Sequence, residues 1–237
     1  MNGLLRAAIS PELTAMQPVS FTSRLLAIIF AIAGTYCISS EAAVQIIDLK
    51  PHYNFSLTNS LIGNGSLNGP NNLSALPAGT NVFAATPFDV EGIAQLTSAQ
   101  AVLSGRKFPE KIDGIKVGVP CSKIHILHGA GWTEVENTTV GSLIIHYPSG
   151  EKREIPIIYG KHVWDWWDNE EKDPAAADTN TVLAWTGVNR ISKMFGTNLR
   201  IYKTTFHNPK PDAIIQTIDF VSANKQSAPF LLGLSVE

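Results

Sequence analysis

The chain has almost no cysteine: two in 237 residues, Cys37 and Cys121. It also lacks a charge excess. Lys and Arg number 18 against 20 Asp and Glu, a formal charge of −2, so there is no basic face of the kind nucleic-acid binding needs, and a nucleic-acid partner is not expected. Helical periodicity is nowhere sustained over three turns; only the Pro-Ala-Ala-Ala stretch within 173–180 reads as a single helical turn. Catalytic signatures are missing too: there is no Gly-x-Ser-x-Gly, no His-Glu-x-x-His and no phosphate-cradling glycine loop.

The longest apolar run, 25–33, follows Arg24 and is followed by Gly34-Thr35 and the small-residue stretch Ser39-Ser40-Glu41-Ala42-Ala43. A positive residue, a short apolar core and a small-residue exit are the three parts of a secretory signal. The run is shorter than the roughly 20 apolar residues of a membrane span. The alternative is a buried N-terminal helix. The leader before Arg24 is long, and Met16 is an alternative start. Cys37 does not complete a lipoprotein signal, because Tyr36 stands where a small residue is required. The expectation is a signal peptide and leader over 1–43 and one domain over 44–237, secreted or held in the periplasm or cell envelope, with no membrane span in the mature chain. Cys121 is then the only cysteine left, so no internal disulfide forms, and it reads as a small core residue.

What is present reads as strands. Apolar, β-branched segments recur at 46–49, 81–84, 88–90, 92–96, 112–119, 123–128, 199–206, 213–221 and 230–236. The clearest hairpin is 140–159, where Pro148-Ser149-Gly150 turns between two β-branched runs. Pro156 in the second run marks an edge strand or a bulge. In 214–221, Ile214, Gln216, Ile218 and Phe220 alternate with Ile215, Thr217, Asp219 and Val221, one face largely apolar and the other mixed. The Asn- and Gly-rich stretch 59–80 reads as a loop with almost nothing to bury. Many short strands, no internal repeat and no linker point to a single sandwich or barrel.

The most unusual segment is 160–171, with Trp164, Asp165, Trp166, Trp167 and Asp168 in succession: three of five tryptophans lie within four residues. Indole faces stack on sugar rings while nearby carboxylates bind hydroxyls. Core plugs closing the end of a sandwich have the same composition, so both readings stand. Trp132, after His128-Gly129-Ala130-Gly131, is a second aromatic wall or a packing residue, and His128 stands beside it as a candidate. Asp165, Asp168, Asn169 and Glu170 offer oxygens to calcium, though without the alternation of a dedicated loop. A paired-carboxylate glycosidase would draw on Asp89, Glu134 and Asp165. His125 and His128, three apart on a strand, point to opposite faces and make no metal pair.

Several motifs in order resemble a family. They are Thr86-Pro87-Phe88-Asp89-Val90-Glu91-Gly92-Ile93, then Ile124-His125-Ile126-Leu127-His128-Gly129, then Gly141-x-Leu143-Ile144-Ile145-His146-Tyr147-x-Ser149-Gly150. The Asp165-Trp166-Trp167 segment follows, and Asn208-Pro209-Lys210-Pro211 leads into Ile218-Asp219-Phe220-Val221-Ser222. The series resembles galactose-binding-like jelly-roll modules of secreted bacterial proteins over roughly 80–236. The resemblance implies an all-β jelly-roll β-sandwich, Phe88 and Ile93 in the core, a rigid turn at Asn208-Pro209-x-Pro211, and binding of a glycan or polysaccharide without catalysis. The competing expectations are a cell-envelope structural or protein-interaction domain with a protein partner, and a glycoside-active enzyme.

Overall fold

The computed structural model describes residues 43–61, 69–168 and 178–237. These belong to one compact unit, Glu41–Glu237. The leader and signal-peptide expectation, apart from its last residue, lies outside the described residues, as does most of the 173–180 turn. Among the described residues no helix is long and apolar enough to cross a membrane.

The fold is all-β and antiparallel. Strands β1 (Gln45–Ile47), β4 (Ala94–Gln95), β6 (Lys123–Gly131), β9 (Trp167–Asp168), β10 (Thr181–Gly187), β11 (Asn198–His207) and β13 (Ala228–Val236) make a seven-stranded sheet. Its main path runs β1-β13-β6-β11-β10, with β4 on β13 and β9 on β11. Strands β5 (Lys111–Pro120), β7 (Thr139–His146), β8 (Lys152–Ile158) and β12 (Ile214–Ser222) make a four-stranded sheet in the order β5-β12-β7-β8. A separate hairpin joins β2 (Gly79–Phe83) to β3 (Thr86–Val90).

Alternation along the central strands explains how these layers stack. Ile124 and Ile126 of β6, Tyr202 and Phe206 of β11, and Leu231, Leu234 and Val236 of β13 pack with Ile115, Leu143, Ile145, Ile157, Ile218 and Phe220 of the four-stranded sheet. That is the sandwich core. The opposite row of the same strands, Leu127, Leu199, Ile201, Phe230 and Leu232, packs with Phe83, Phe88 and Val90 of the hairpin and with Phe55, Leu57, Leu61, Leu73 and Leu76. The seven-stranded sheet is therefore packed against on both faces, one of them only in part, and every residue of β13 is buried. Phe88 and Ile93 are core residues. The stretch 59–80 does bury apolar surface, contrary to expectation: among its described residues, Leu61, Leu73 and Leu76 pack in the second core.

Other local readings compare directly. The β7–β8 hairpin turns at Pro148–Gly150, where Gly150 takes a left-handed φ of 82°, and Pro156 lies on β8, at the edge of its sheet. In β12 the inward residues are Ile215, Ile218 and Phe220 while Ile214 is exposed. Two register shifts against β5, at Ile215/Thr217 and Ile218/Phe220, change the phase, so a strict period of two misassigns the face. Two short helices were not legible as periodic segments. Helix α1 (Ala99–Leu103) starts at an N-cap, Ser98, whose Oγ accepts from Ala101 N–H. Helix α2 (Arg190–Phe195) has a capping box between Asn189 and Ser192 and ends at left-handed Gly196. Cys121 is buried, and burial pushes its thiol up to about 11, which leaves it unreactive.

Asn208 ties the late strands together. Its Oδ1 accepts from the Tyr147 hydroxyl at 2.5 Å, and its Nδ2 donates to the carbonyls of Cys121 and Lys210 at 2.8 and 2.9 Å. The side chain is buried, so its removal strands partners from three segments. Asn208→Ala is expected to cost about 2–3 kcal/mol, the price of leaving buried polar groups unpaired. Urea unfolding checks it, and Asn208→Asp, which keeps the acceptor for Tyr147 but turns a carboxylate oxygen toward the Cys121 and Lys210 carbonyls, should not recover the loss.

Candidate functional site

The segment after β8 crosses from one sheet to the other. Tyr159 and Val163 form an isolated bridge, Asp165 bridges Ala130 at the end of β6, and Trp167 pairs with Leu199 of β11. This crossing carries the tryptophans inward. Trp164 is 2 % exposed and stacks, tilted, on Tyr202 at 5.3 Å; Trp166 is 0 % exposed. Neither can offer a ring face to a sugar, so the expected ligand role of both is corrected to core packing. The Trp166 Nε1–H is buried and has no hydrogen-bond partner among the described residues, so that indole is held by shape. Asp165 is buried as well; its Oδ1 accepts from Trp167 N–H at 3.1 Å and shapes the turn.

His128 is likewise interior. Its Nε2 lies 2.8 Å from Thr204 Oγ1, and that hydroxyl donates to the carbonyl of His162 at 2.9 Å. Thr204 has a single proton, so His128 Nε2–H is the donor and the ring is neutral. Its Nδ1 is buried and has no partner among the described residues. Burial holds the His128 pKa down to about 3, and this residue is corrected from ligand candidate to structural histidine.

Trp167 differs. It is half-buried, lies edge-on to Phe195 at 5.8 Å and 6.5 Å from Trp166, and packs partly on the second core. Phe195, the last residue of α2, is 67 % exposed, and Met194 beside it is exposed too. Trp167 and Phe195 therefore form an open aromatic edge. Trp132 stands apart: among the described residues it has no ring contact with that edge, and its φ of 65° is rare for a bulky side chain. The Asp168 side chain, Asn169 and Glu170 lie outside the described residues. Among the described residues no three His, Cys, Asp or Glu side chains gather as a metal-holding group.

The glycosidase carboxylates do not converge. Glu134 accepts from the backbone N–H of Gln226 and Ser227, Asp89 pairs with Lys50 at 3.7 Å, and Asp165 is engaged as above.

A second site was missed from sequence. The β2–β3 hairpin covers only part of the outer face of the seven-stranded sheet. Beyond it the outward rows turn polar: Leu127 gives way to His125 and Lys123 on β6, and Leu199 and Ile201 give way to Lys203, Thr205 and His207 on β11. These side chains line a cleft of about 330 Å³, at the lower end for small-molecule sites. His125 is buried, with Nδ1 2.9 Å from Thr205 Oγ1 and Nε2 3.3 Å from a Glu237 carboxylate oxygen. Lys123 bonds the other Glu237 oxygen at 2.6 Å. Burial, with help from the Lys203 charge, lowers the His125 pKa, and burial lowers that of Lys203. The available signal was the alternation Lys203-x-Thr205-x-His207, a polar row at the end of β11.

No protein-family profile matches this sequence, and none of the curated proteins is significantly similar to it.

Three interior histidines, His125, His128 and His162, have pKa values lowered chiefly by burial. In the unfolded chain each takes up a proton near pH 6.5. Their contribution to stability is therefore complete above that pH and is lost as pH falls below it. Unfolding free energy should drop between pH 6.5 and 4.5, before the carboxylates titrate. His128→Gln should flatten that slope by about 1.4 kcal/mol per pH unit, one group's worth. Urea titrations at half-unit pH steps check this.

Proposed function

We propose that this chain is the non-catalytic saccharide-binding module of an exported protein, a galactose-binding-like jelly roll. The strand orders support the fold assignment. β1-β13-β6-β11 in one sheet and β5-β12-β7-β8 in the other give the alternation between sheets of an eight-stranded double Greek key. The observation that carries the binding role is the open aromatic edge of Trp167 and Phe195 on the seven-stranded sheet. Aromatic plates of this kind hold sugar rings, and the core tryptophans behind them keep the plate rigid. Export rests on the 25–33 apolar run and its small-residue exit. The engaged carboxylates weigh against glycoside cleavage.

One observation favours the envelope-interaction alternative: a groove of about 740 Å³ beside α1, where Val102 is exposed and Leu103 is 80 % exposed. Retention on immobilised polysaccharides separates the two readings. Trp167→Ala should lower retention about tenfold, the loss of one aromatic contact of roughly 1.4 kcal/mol. It should do so while the protein stays folded, whereas Trp166→Ala should cost about 3–5 kcal/mol of stability. A folded protein retained by no polysaccharide contradicts the saccharide reading.

A further inference from the structure

We propose that the polar cleft on the open part of the outer sheet face binds a sugar residue bearing one negative charge, as a carboxylate or a sulfate ester. The inference deepens the saccharide reading and rests on it for the sugar; the charge argument rests on the cleft alone.

The charges do not balance. Lys123 is neutralised by Glu237 at 2.6 Å. Lys203 is not: its ammonium donates to the Ala84 carbonyl at 2.8 Å and to Thr86 Oγ1 at 3.2 Å, both neutral oxygens. Among the described residues no carboxylate lies within ion-pairing distance of it. Two of its three protons are used, which leaves one donor and a full positive charge in a half-buried position. A partly desolvated cation without a counter-ion is costly, and an entering anion removes that cost. One ammonium held only by neutral oxygens matches one anionic group and not a polyphosphate.

The wall of the cleft is built at a cost as well. The β2–β3 turn is Ala84-Ala85, with φ of 46° and 63°. Two-residue hairpin turns of this hand normally take Asn-Gly or Gly. An alanine in the left-handed region is strained by its Cβ. Lys203 holds this strained turn through the Ala84 carbonyl, so the residue that would meet the anion also fixes the wall beside it. The floor is equally ordered, because both ring nitrogens of His125 are held, by Thr205 and Glu237. Exposed His207 continues the row outward on β11, and Asn180 lines the rim with polar groups suited to hydroxyls.

Calorimetry on the purified protein at low salt, with trigalacturonate, a sulfated galactotriose and neutral galactotriose, tests the proposal. At least one charged trisaccharide should bind tenfold or more tighter than the neutral one, and which of the two does so identifies the carboxylate or the sulfate source. Lys203→Met should remove that preference. Because this change could also disturb the turn, a second readout uses the unaltered protein. His125 faces Lys123, Lys203, His207 and Glu237, and its ring pKa, followed by NMR, should rise when the charged sugar saturates the cleft. Equal binding of charged and neutral sugars, or a His125 ring that does not respond, overturns the proposal. Trp167-dependent retention on neutral polysaccharide would survive that outcome, so the two readings fail separately.

Discussion

A central sheet that must hide both of its faces governs this molecule. Strand β13 is buried along its whole length, and β6 beside it and β11 beyond β6 carry apolar side chains on both rows. Antiparallel sheets commonly leave one face to solvent; here the four-stranded sheet takes one face, and the β2–β3 hairpin with Leu57, Leu61, Leu73 and Leu76 takes much of the other. The buried leucines in an otherwise polar loop, the close packing of Gly129 under the Phe230 ring, where a Cβ would come within 2.5 Å, and the interior tryptophans all answer that demand.

The covering is incomplete, and the surface proposed to bind ligand lies where it stops. On β11 the outward row passes from Leu199 and Ile201 to Lys203, Thr205 and His207. From Leu199 to Lys203 is roughly 13 Å along the strand. One end of that row adjoins Trp167, which pairs with Leu199, and the other reaches the cleft. A single face thus combines an apolar plate and a charged, hydrogen-bonding recess, the two elements a saccharide site uses.

Most strands and the main hairpin were readable, because alternation and turn chemistry are local signals. The β7–β8 hairpin with its Pro148-Ser149-Gly150 turn shows this. The face of β12 was not readable, since bulges at Ile215/Thr217 and Ile218/Phe220 break the period of two. Helices α1 and α2 are about one to two turns long and depend on capping by Ser98 and Asn189. The tryptophan segment misled because a core plug and a sugar platform share a composition; only the crossing from β8 to β11 decides that Trp164 and Trp166 face inward and Trp167 outward. The cleft escaped notice because its parts, Lys123 and His125 on one strand and Lys203 and His207 on another, lie some 80 residues apart in sequence and meet only through the pairing of β6 with β11.

The central claim is that the outer face of the seven-stranded sheet is the ligand face. Amide and indole NMR of the labelled protein, titrated with whichever saccharide it retains, tests it most directly. The account predicts that perturbed signals cluster at the Trp167 indole and along Lys203, Thr205, His207, His125 and Lys123. Perturbations confined to the solvent face of the four-stranded sheet, around Ser142, His146, Glu154 and Asp219, or to the groove beside α1, would contradict it.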